Sequence, residues 1–275
     1  MKIKKISRNQ RDFLILAIFI LVIFFAFFPF QKISNPFIEE ESAFQPENQV
    51  AILDQFHSES PEYSEETREL FANENIGVDI YENIPVNLYR HLPSLGYKII
   101  ILRVHSGMRV SSGSGPKISL FTTEEYDPSK YLFLKSNDLL GNAFVYGDNW
   151  VKNRFSITPK FIEKEMKGEF DNTLIVINSC NISDVENSSL LVSNFYEKGA
   201  KSIVTWDENV TLDHGDRGVS LFLEKILLEN ETLMSSTNQV QDEIGLGKNA
   251  GAKLIVNHNP HSRLKIIDGK ILLEE

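Results

Sequence analysis

The sequence of 275 residues predicts an α/β fold, in which a mostly parallel sheet is flanked by helices, preceded by a transmembrane helix. Short apolar runs alternate with segments of helical pattern at the spacing of βαβ units. The runs are continuously apolar, which is typical of strands that are buried on both faces. Residues 13–30 are uncharged and apolar, and as a helix they would be about 27 Å long, close to the thickness of a bilayer's hydrocarbon core.

The chain is expected to divide into four parts: a cytoplasmic basic tail (1–11), a transmembrane anchor (12–30), a linker (31–48) and an α/β domain (49–275). The basic flank precedes the apolar stretch, so the positive-inside rule places the N-terminus in the cytoplasm and the domain outside the cell membrane. A cleaved signal peptide is the alternative. Residues 26–30 offer no small-x-small cleavage site, which favours a single-pass, uncleaved anchor.

Charge argues against one class of partner. The net charge of the chain is −10, and because the tail holds five basic residues and no acid, the remaining chain carries −15. Binding to nucleic acid requires a basic face that neutralises phosphates, so no nucleic-acid partner is expected.

Cys180 is the only cysteine of the chain, which excludes an intramolecular disulfide. Its thiol is therefore free, either as a reactive group or as a small buried hydrophobe.

The first half of the predicted domain begins with a strand at 50–54, and Ser64, followed by acids, predicts the N-cap of a helix. The next predicted elements are a strand at 77–81, a short helix at 87–92 and a strand that ends at His105. The stretch 106–117 is rich in Ser and Gly and predicts a flexible loop, which leads into a β-hairpin strand at 118–122.

In the second half, Thr158 and Pro159 predict the N-cap and first residue of a helix that ends at Gly168. An apolar strand that ends at Cys180 follows it. The remaining predicted elements are a helix at 190–198 that ends before Gly199, a strand at 202–206, an amphipathic helix at 217–228 and a hairpin over 264–273 around Asp268-Gly269.

His105 and Cys180 follow two of these apolar runs directly. In open α/β sheets, reactive and ligand-binding groups collect just past the carboxyl ends of the strands. A thiol and an imidazole at that edge can form a nucleophile–base pair, because a neighbouring imidazole raises the fraction of reactive thiolate.

Three short motifs resemble the caspase-like cysteine peptidase superfamily, which includes caspases, metacaspases, gingipains and the CHAT domains. An apolar strand precedes His-Ser-Gly at 105–107, and a second precedes Ser179-Cys180. Residues 195–206 are similar to the helix, Gly-Ala-Lys-Ser, strand and Trp that follow the cysteine in CHAT domains. The resemblance covers roughly residues 50–230.

This resemblance implies that His105 is the catalytic base and Cys180 the nucleophile, with backbone N–H groups near Gly107 and Cys180 as the oxyanion hole. The expected activity is that of a membrane-anchored extracytoplasmic cysteine endopeptidase, which acts on protein or peptide substrates without a cofactor or metal. Most of the family has Gly directly after the histidine, whereas this chain has Ser106. Asn178 stands where metacaspases carry an acid that binds a basic P1 side chain.

Two other functions are compatible with the same sequence. One is a catalytically inactive caspase-like module that binds a partner or an envelope component. The other is a hydrolase of non-peptide esters or amides, because the same pair of side chains serves acyl transfer.

Several further polar residues have both a functional and a structural interpretation. Asp207 follows a strand and could bind a basic substrate group or cap a turn, and His214 could line the cleft or begin a helix. His258 and His261 lack acid or cysteine partners at metal-ligand spacing, which favours a polar turn. Four N-glycosylation sequons, typical of an exported protein, begin at Asn181, Asn187, Asn209 and Asn230.

Overall fold

The computed structural model describes residues 46–110, 116–147, 150–179, 189–247 and 251–275. The predicted tail and anchor, and the linker up to residue 45, lie outside these ranges. Among the described residues, no helix combines the length and the apolar character needed to cross a membrane.

The described chain is built on a six-stranded sheet with the strand order β10-β9-β8-β3-β1-β2. Its strands are β1 (Val50–Asp54), β2 (Val78–Tyr81), β3 (Ile99–Arg103), β8 (Thr173–Asn178), β9 (Ala200–Trp206) and β10 (Leu254–Asn257). All neighbours pair in parallel except β10, which runs antiparallel to β9 at one edge. The prediction of a mostly parallel sheet is therefore confirmed.

The three central strands are buried along their whole length, as their continuous apolar runs predict. One face of the sheet shares a core with one helix of 17 residues, two helices of 12 residues and a C-terminal hairpin. These elements are α1 (Glu62–Asn73), α6 (Leu212–Leu228), α7 (Leu233–Ile244), β11 (Arg263–Ile267) and β12 (Lys270–Glu274). The hairpin turns at Asp268 and Gly269, both with positive φ, as predicted.

The alternate residues of the same strands are equally buried on the opposite face. Further short helices occur along the chain: α2 (Val86–His91), which continues as a 3₁₀ turn (Leu92–Leu95), α4 (Pro159–Glu165) and α5 (Ser189–Glu197). Helices α4 and α5 pack together, and α5 contacts β9. Thr158 is the N-cap of α4, as predicted, and the helix ends at Glu165, three residues before Gly168.

A second sheet is inserted between β3 and β8. It is antiparallel, has the order β4-β5-β7-β6, and comprises β4 (Ser106–Val110), β5 (Pro116–Glu125), β6 (Leu140–Gly147) and β7 (Trp150–Ile157), with the short helix α3 (Leu132–Ser136). The predicted flexible loop at 106–117 is thus wrong for Ser106–Val110, which pair with β5. Ser and Gly lower strand propensity, but pairing with β5 holds these residues in a strand.

Two predicted helix starts are also corrected. Helix α1 begins at Glu62 instead of having its N-cap at Ser64, whose hydroxyl donates to Asp54 Oδ2 at 2.6 Å. Helix α6 begins at Leu212, five residues before the predicted 217, with Thr211 as its N-cap. Gly215 and Gly218 weaken the helical pattern of the first turns of α6, because glycine is a poor helix former. Strands β6, β7 and β10 and helices α3 and α7 were not predicted.

Candidate active site

Four neighbouring strands end in a row of polar or amphipathic side chains on one face of the central sheet. The last residues of β1, β3, β8 and β9 are Asp54, Arg103, Asn178 and Trp206. Asp54 is opposite Arg103, and Arg103 is opposite Asn178, in the parallel register. Because side chains alternate between faces, residues in register point to the same side, here toward α1 and α6.

Asp216, in the second turn of α6, joins this row. Its Oδ1 accepts hydrogen bonds from Arg103 Nε at 2.9 Å and from Asn178 Nδ2 at 2.8 Å, and its Oδ2 accepts from Arg103 NH2 at 2.6 Å. Asn178 Oδ1 accepts in turn from Trp206 Nε1 at 3.2 Å. We call Asp54, Arg103, Asn178, Trp206 and Asp216 the edge network.

The Arg103 guanidinium is fully buried and well supplied with partners. Besides Asp216, it donates to Asp54 Oδ1 at 2.6 Å and to Ser60 Oγ at 2.7 Å, and its Cζ lies 4.7 Å from the centre of the Tyr63 ring. Burial acts against the charged form, but Asp216 and Asp54 together raise the pKa of Arg103 above its ordinary value. Burial also raises the pKa of Asp216, against the opposing effect of hydrogen bonds from Arg103 and Asn178.

His105 follows β3 by two residues, and its backbone is held from both sides. Its N–H donates to Gln55 Oε1 at 2.8 Å, and its carbonyl accepts from Phe121 N at 2.9 Å. Its ring packs against the Phe56 ring, with 4.3 Å between centroids. The same Phe56 ring lies 5.4 Å from Arg103 Cζ, so Phe56 joins the imidazole to the edge network.

Burial lowers the pKa of His105, with a smaller opposing effect from the charge of Glu59. The imidazole is therefore neutral near pH 7, which is the form that accepts a proton. This is the protonation state that a general base requires.

Cys180 lies outside the described residues, as does the predicted sequon at Asn181. The two residues before it are described: Asn178 and Ser179 are both buried. Ser179 Oγ has no hydrogen-bond partner among the described residues. The pairing of β3 with β8 is described as far as Arg103 opposite Asn178.

Gly107, the predicted oxyanion donor, lies in β4 opposite Ser119. The bond from Phe121 N to the His105 carbonyl fixes the hydrogen-bonding phase of this antiparallel pair. Hydrogen-bonded and non-hydrogen-bonded positions alternate along such a pair, so a residue two positions further along directs its N–H to the same side. The Gly107 amide is therefore directed at β5. An oxyanion role would require this amide to leave its pairing. A Cβ at Gly107 would lie 3.0 Å from the Phe121 ring, so close packing also explains the glycine.

Asp207, the predicted substrate-binding residue, lies opposite Lys253, one position beyond the described end of the β9–β10 pairing. Its Oδ1 accepts from Lys253 N at 2.6 Å, and its own N–H donates to the Lys253 carbonyl at 3.0 Å. Asp207 thus joins the end of β9 to the start of β10, 46 positions away, and does not cap a turn; substrate binding by Asp207 stays a prediction.

The other histidines are distributed over separate regions. His214 lies in the first turn of α6, with its ring 5.4 Å from that of Trp206. His258 stacks on Tyr196 at 3.8 Å, in a turn that continues to His261. Within the described ranges, no three His, Cys, Asp or Glu residues are grouped closely enough to hold a metal ion.

Two of the sequons are described, and their asparagines Asn209 and Asn230 are exposed. The threonine of each, Thr211 and Thr232, is the N-cap of α6 or α7 and accepts a hydrogen bond from a backbone amide. Helix capping therefore accounts for both threonines without glycosylation.

The edge network was not predicted, although the sequence contains a signal for it. Arg103 is a charged residue inside an otherwise apolar run, and Asp54 and Asn178 each end such a run. A charge in a buried strand needs partners, so these three residues could have been grouped. Asp216 carried no comparable signal, because only the folded chain brings α6 to this edge.

Comparisons with known proteins add no relationship. No protein-family model matches the chain, and a search of curated proteins finds no significant match.

Proposed function

We propose that this protein is a membrane-anchored, extracytoplasmic cysteine endopeptidase of caspase-like type, with Cys180 as nucleophile and His105 as base. One observation carries the proposal: β3 and β8 are parallel neighbours that end in register at Arg103 and Asn178. His105 follows the first of these residues by two positions and Cys180 follows the second by two positions. A thiol and an imidazole at matching distances beyond adjacent strands favour a common site.

The surroundings of His105 also support the proposal. The ring is held against Phe56, its backbone is fixed by Gln55, and its pKa is lowered by burial. A fixed, neutral imidazole accepts the thiol proton without first losing one of its own. Preorganisation of this kind is what a nucleophile–base pair needs.

In the proposed reaction the Cys180 thiol gives its proton to the His105 imidazole, and the sulfur bonds to the scissile carbonyl carbon. The carbon–nitrogen bond then breaks, and the leaving amine takes the proton from the imidazolium. Water attacks the thioester and gives a proton to His105, which returns it to the sulfur as the carboxylic acid product leaves. Protein or peptide substrates are proposed because the resemblance is to peptidases.

The test uses the fact that Cys180 is the only cysteine, so a thiol-directed probe reports on one residue. Full-length protein in detergent is treated with peptidyl acyloxymethyl ketones carrying different P1 side chains, and with a peptide library. We expect labelling and cleavage for the wild type, neither for Cys180→Ala, and at least about a hundredfold slower labelling for His105→Ala, the usual size of general-base catalysis. His258→Ala, a histidine outside the site, is the matched control.

Equal labelling of the wild type and His105→Ala would exclude the catalytic pair. One observation favours the second function, a binding module with the same fold: the Gly107 amide is committed to the β4–β5 pair instead of being free for an oxyanion. Wild-type protein that cleaves no peptide, labels no faster than His105→Ala and yet captures an envelope component would support that function.

A further inference from the structure

We infer that Asp216 is a positioning residue, whose single carboxylate ties the end of β3 to the end of β8 and so holds the strand ends that precede His105 and Cys180. This inference rests on the proposed function, since it assigns Asp216 a role in the geometry of that catalytic pair. Asp216 itself touches neither substrate nor reacting atoms in this role.

The hydrogen bonds carry the inference. Asp216 Oδ1 accepts from side chains of both strands, from Arg103 Nε at 2.9 Å and from Asn178 Nδ2 at 2.8 Å. Its second oxygen holds Arg103 again at 2.6 Å. Charge-assisted bonds of this length are among the stronger ones in proteins, and two of them fix the orientation of the guanidinium.

The Asp216 contact lies at the point where the described pairing of β3 with β8 stops. The described pairing of β3 with β8 ends at Arg103 opposite Asn178. From Ser106 onward the chain pairs with β5 in the antiparallel sheet. The end of β3 is therefore drawn toward the antiparallel sheet, and the Asp216 carboxylate ties it to the end of β8 where their described pairing stops.

The fit of α6 against the sheet leaves little freedom for the carboxylate to move. A Cβ at Gly215 would lie 2.5 Å from Asn178 Oδ1, and a Cβ at Gly218 would lie 2.7 Å from the Trp206 ring. Only glycine allows the helix to approach this closely at both positions. The backbone on both sides of Asp216 is thus seated directly on two members of the edge network.

Other groups around Asp216 set the electrostatic background. Asp54 and the Tyr63 ring from α1 lie on the other side of Arg103. The two carboxylates and one guanidinium give the edge network a net negative charge. Loss of the Asp216 charge by itself would therefore lower the pKa of a nearby thiol or imidazole. A loosened strand end is expected to raise both pKa values instead.

This difference in sign defines the experiment. Asp216→Asn keeps the size of the side chain and removes its charge, and Lys225→Met is the matched control. Lys225 is a buried charged residue on the same helix, and its Nζ lies 2.7 Å from Glu243 Oε1 on α7, away from the strand ends. Folding of each full-length variant is checked by circular dichroism.

Two pH titrations are recorded on the wild type and both variants. The first is the rate of Cys180 alkylation by iodoacetamide. The second is the chemical shift of the His105 ring in protein labelled with ¹³C-histidine, assigned by loss of one of six histidine signals in His105→Ala.

If Asp216 is a positioning residue, Asp216→Asn moves the apparent pKa of Cys180 up toward that of a free thiol. It also moves the pKa of His105 up toward its ordinary value, because the ring loses its burial. Alkylation at pH 7 then slows by about five- to tenfold, from the smaller thiolate fraction. Lys225→Met leaves both titrations unchanged.

The inference is overturned if Asp216→Asn lowers either pKa or leaves both as in the wild type. Failure of the proposed function has a different signature, namely a wild-type thiol with an ordinary pKa that His105→Ala does not change. The His105 titration still tests Asp216 in that case. If Asp216→Asn does not fold, Asn178→Ala removes one arm of the contact and is expected to give shifts of the same sign; unchanged shifts would overturn the inference.

Discussion

The two sheets of this protein differ in how completely their strands are buried. The central strands β1, β3 and β8 are buried at every position, and even their polar terminal residues are inside the protein. In the antiparallel sheet, β6 has exposed residues between buried ones, and β7 is exposed near its start, where the exposed fraction of Val151 is 56%, and buried at its end. Parallel strands covered by helices on both faces have no solvent side, whereas an antiparallel sheet can have one.

The difference explains where the candidate site lies. At the carboxyl edge of the central sheet, the side chains of Arg103 and Asp54 are fully buried and that of Asp216 is 14% exposed. These charges are therefore satisfied mainly by one another, which fixes their geometry. The antiparallel sheet starts at Ser106, directly after His105. The proposed base therefore lies between a rigid, closed network and a sheet that is partly open to solvent.

The largest expected effect is a loss of stability when a buried charge of the central sheet is removed, compared with removal of a surface charge near the second sheet. Arg103→Met leaves the buried carboxylate of Asp54 and the partly buried carboxylate of Asp216 without their cation, and the free energy of unfolding is expected to fall by about 3–5 kcal/mol. Lys130→Met is the control, because its ammonium pairs with Glu124 of β5 at 3.3 Å while 55% of the Lys130 side chain is exposed.

Loss of an exposed pair costs at most about 1 kcal/mol. Both values are measured by urea denaturation of the full-length protein. Similar losses in the two variants would mean that the edge network is no more than a surface ion pair.

A second prediction compares the same substitution in the two sheets. Val176→Ala in β8 removes two methyl groups from the fully buried core, which is expected to cost about 2 kcal/mol including the cavity. Val151→Ala in β7 changes an exposed residue and should stay within about 0.5 kcal/mol of the wild type. Equal losses in thermal or urea unfolding would contradict the contrast between the sheets.

The smallest effect concerns pH. Because burial lowers the pKa of His105 below its ordinary value of about 6.5, the unfolded chain binds more protons than the folded chain in that range. Stability from the neutral ring is present above pH 6.5 and is lost as the pH falls toward the lowered pKa. The loss between pH 7.5 and 5.5 should be smaller in His105→Gln, which retains His258, a second histidine whose pKa burial lowers. An identical pH dependence in both proteins would show that His105 titrates normally.

Local patterns predicted the five parallel strands of the central sheet well, because each carries its own evidence, whereas the antiparallel edge strand β10 was missed. The runs at 50–54, 99–103 and 173–178 are apolar throughout, and the boundaries of β1 agree with the prediction. The antiparallel sheet was largely missed. Residues 106–110 are a strand only because β5 lies beside them, and neither their composition nor their periodicity indicates that partner.

The residues of the candidate site also divide into those that the sequence could predict and those that it could not. His105 could be found from its place after an apolar run, whereas the contact of Asp207 with Lys253, 46 positions away, could not. Asp216 could not, since 113 positions separate it from Arg103, to which it is hydrogen-bonded. The assignment of Cys180 as nucleophile stays a prediction from sequence.

The sequence by itself determined the class of the fold, since hydrophobic periodicity and capping residues act over a few neighbouring positions. It also determined which strand ends carry polar groups. Only the tertiary structure decided that four of these ends form one row and that a carboxylate from α6 joins two of them. Those contacts depend on strand order, register and the close approach of a glycine-containing helix, which arise when distant segments pack together.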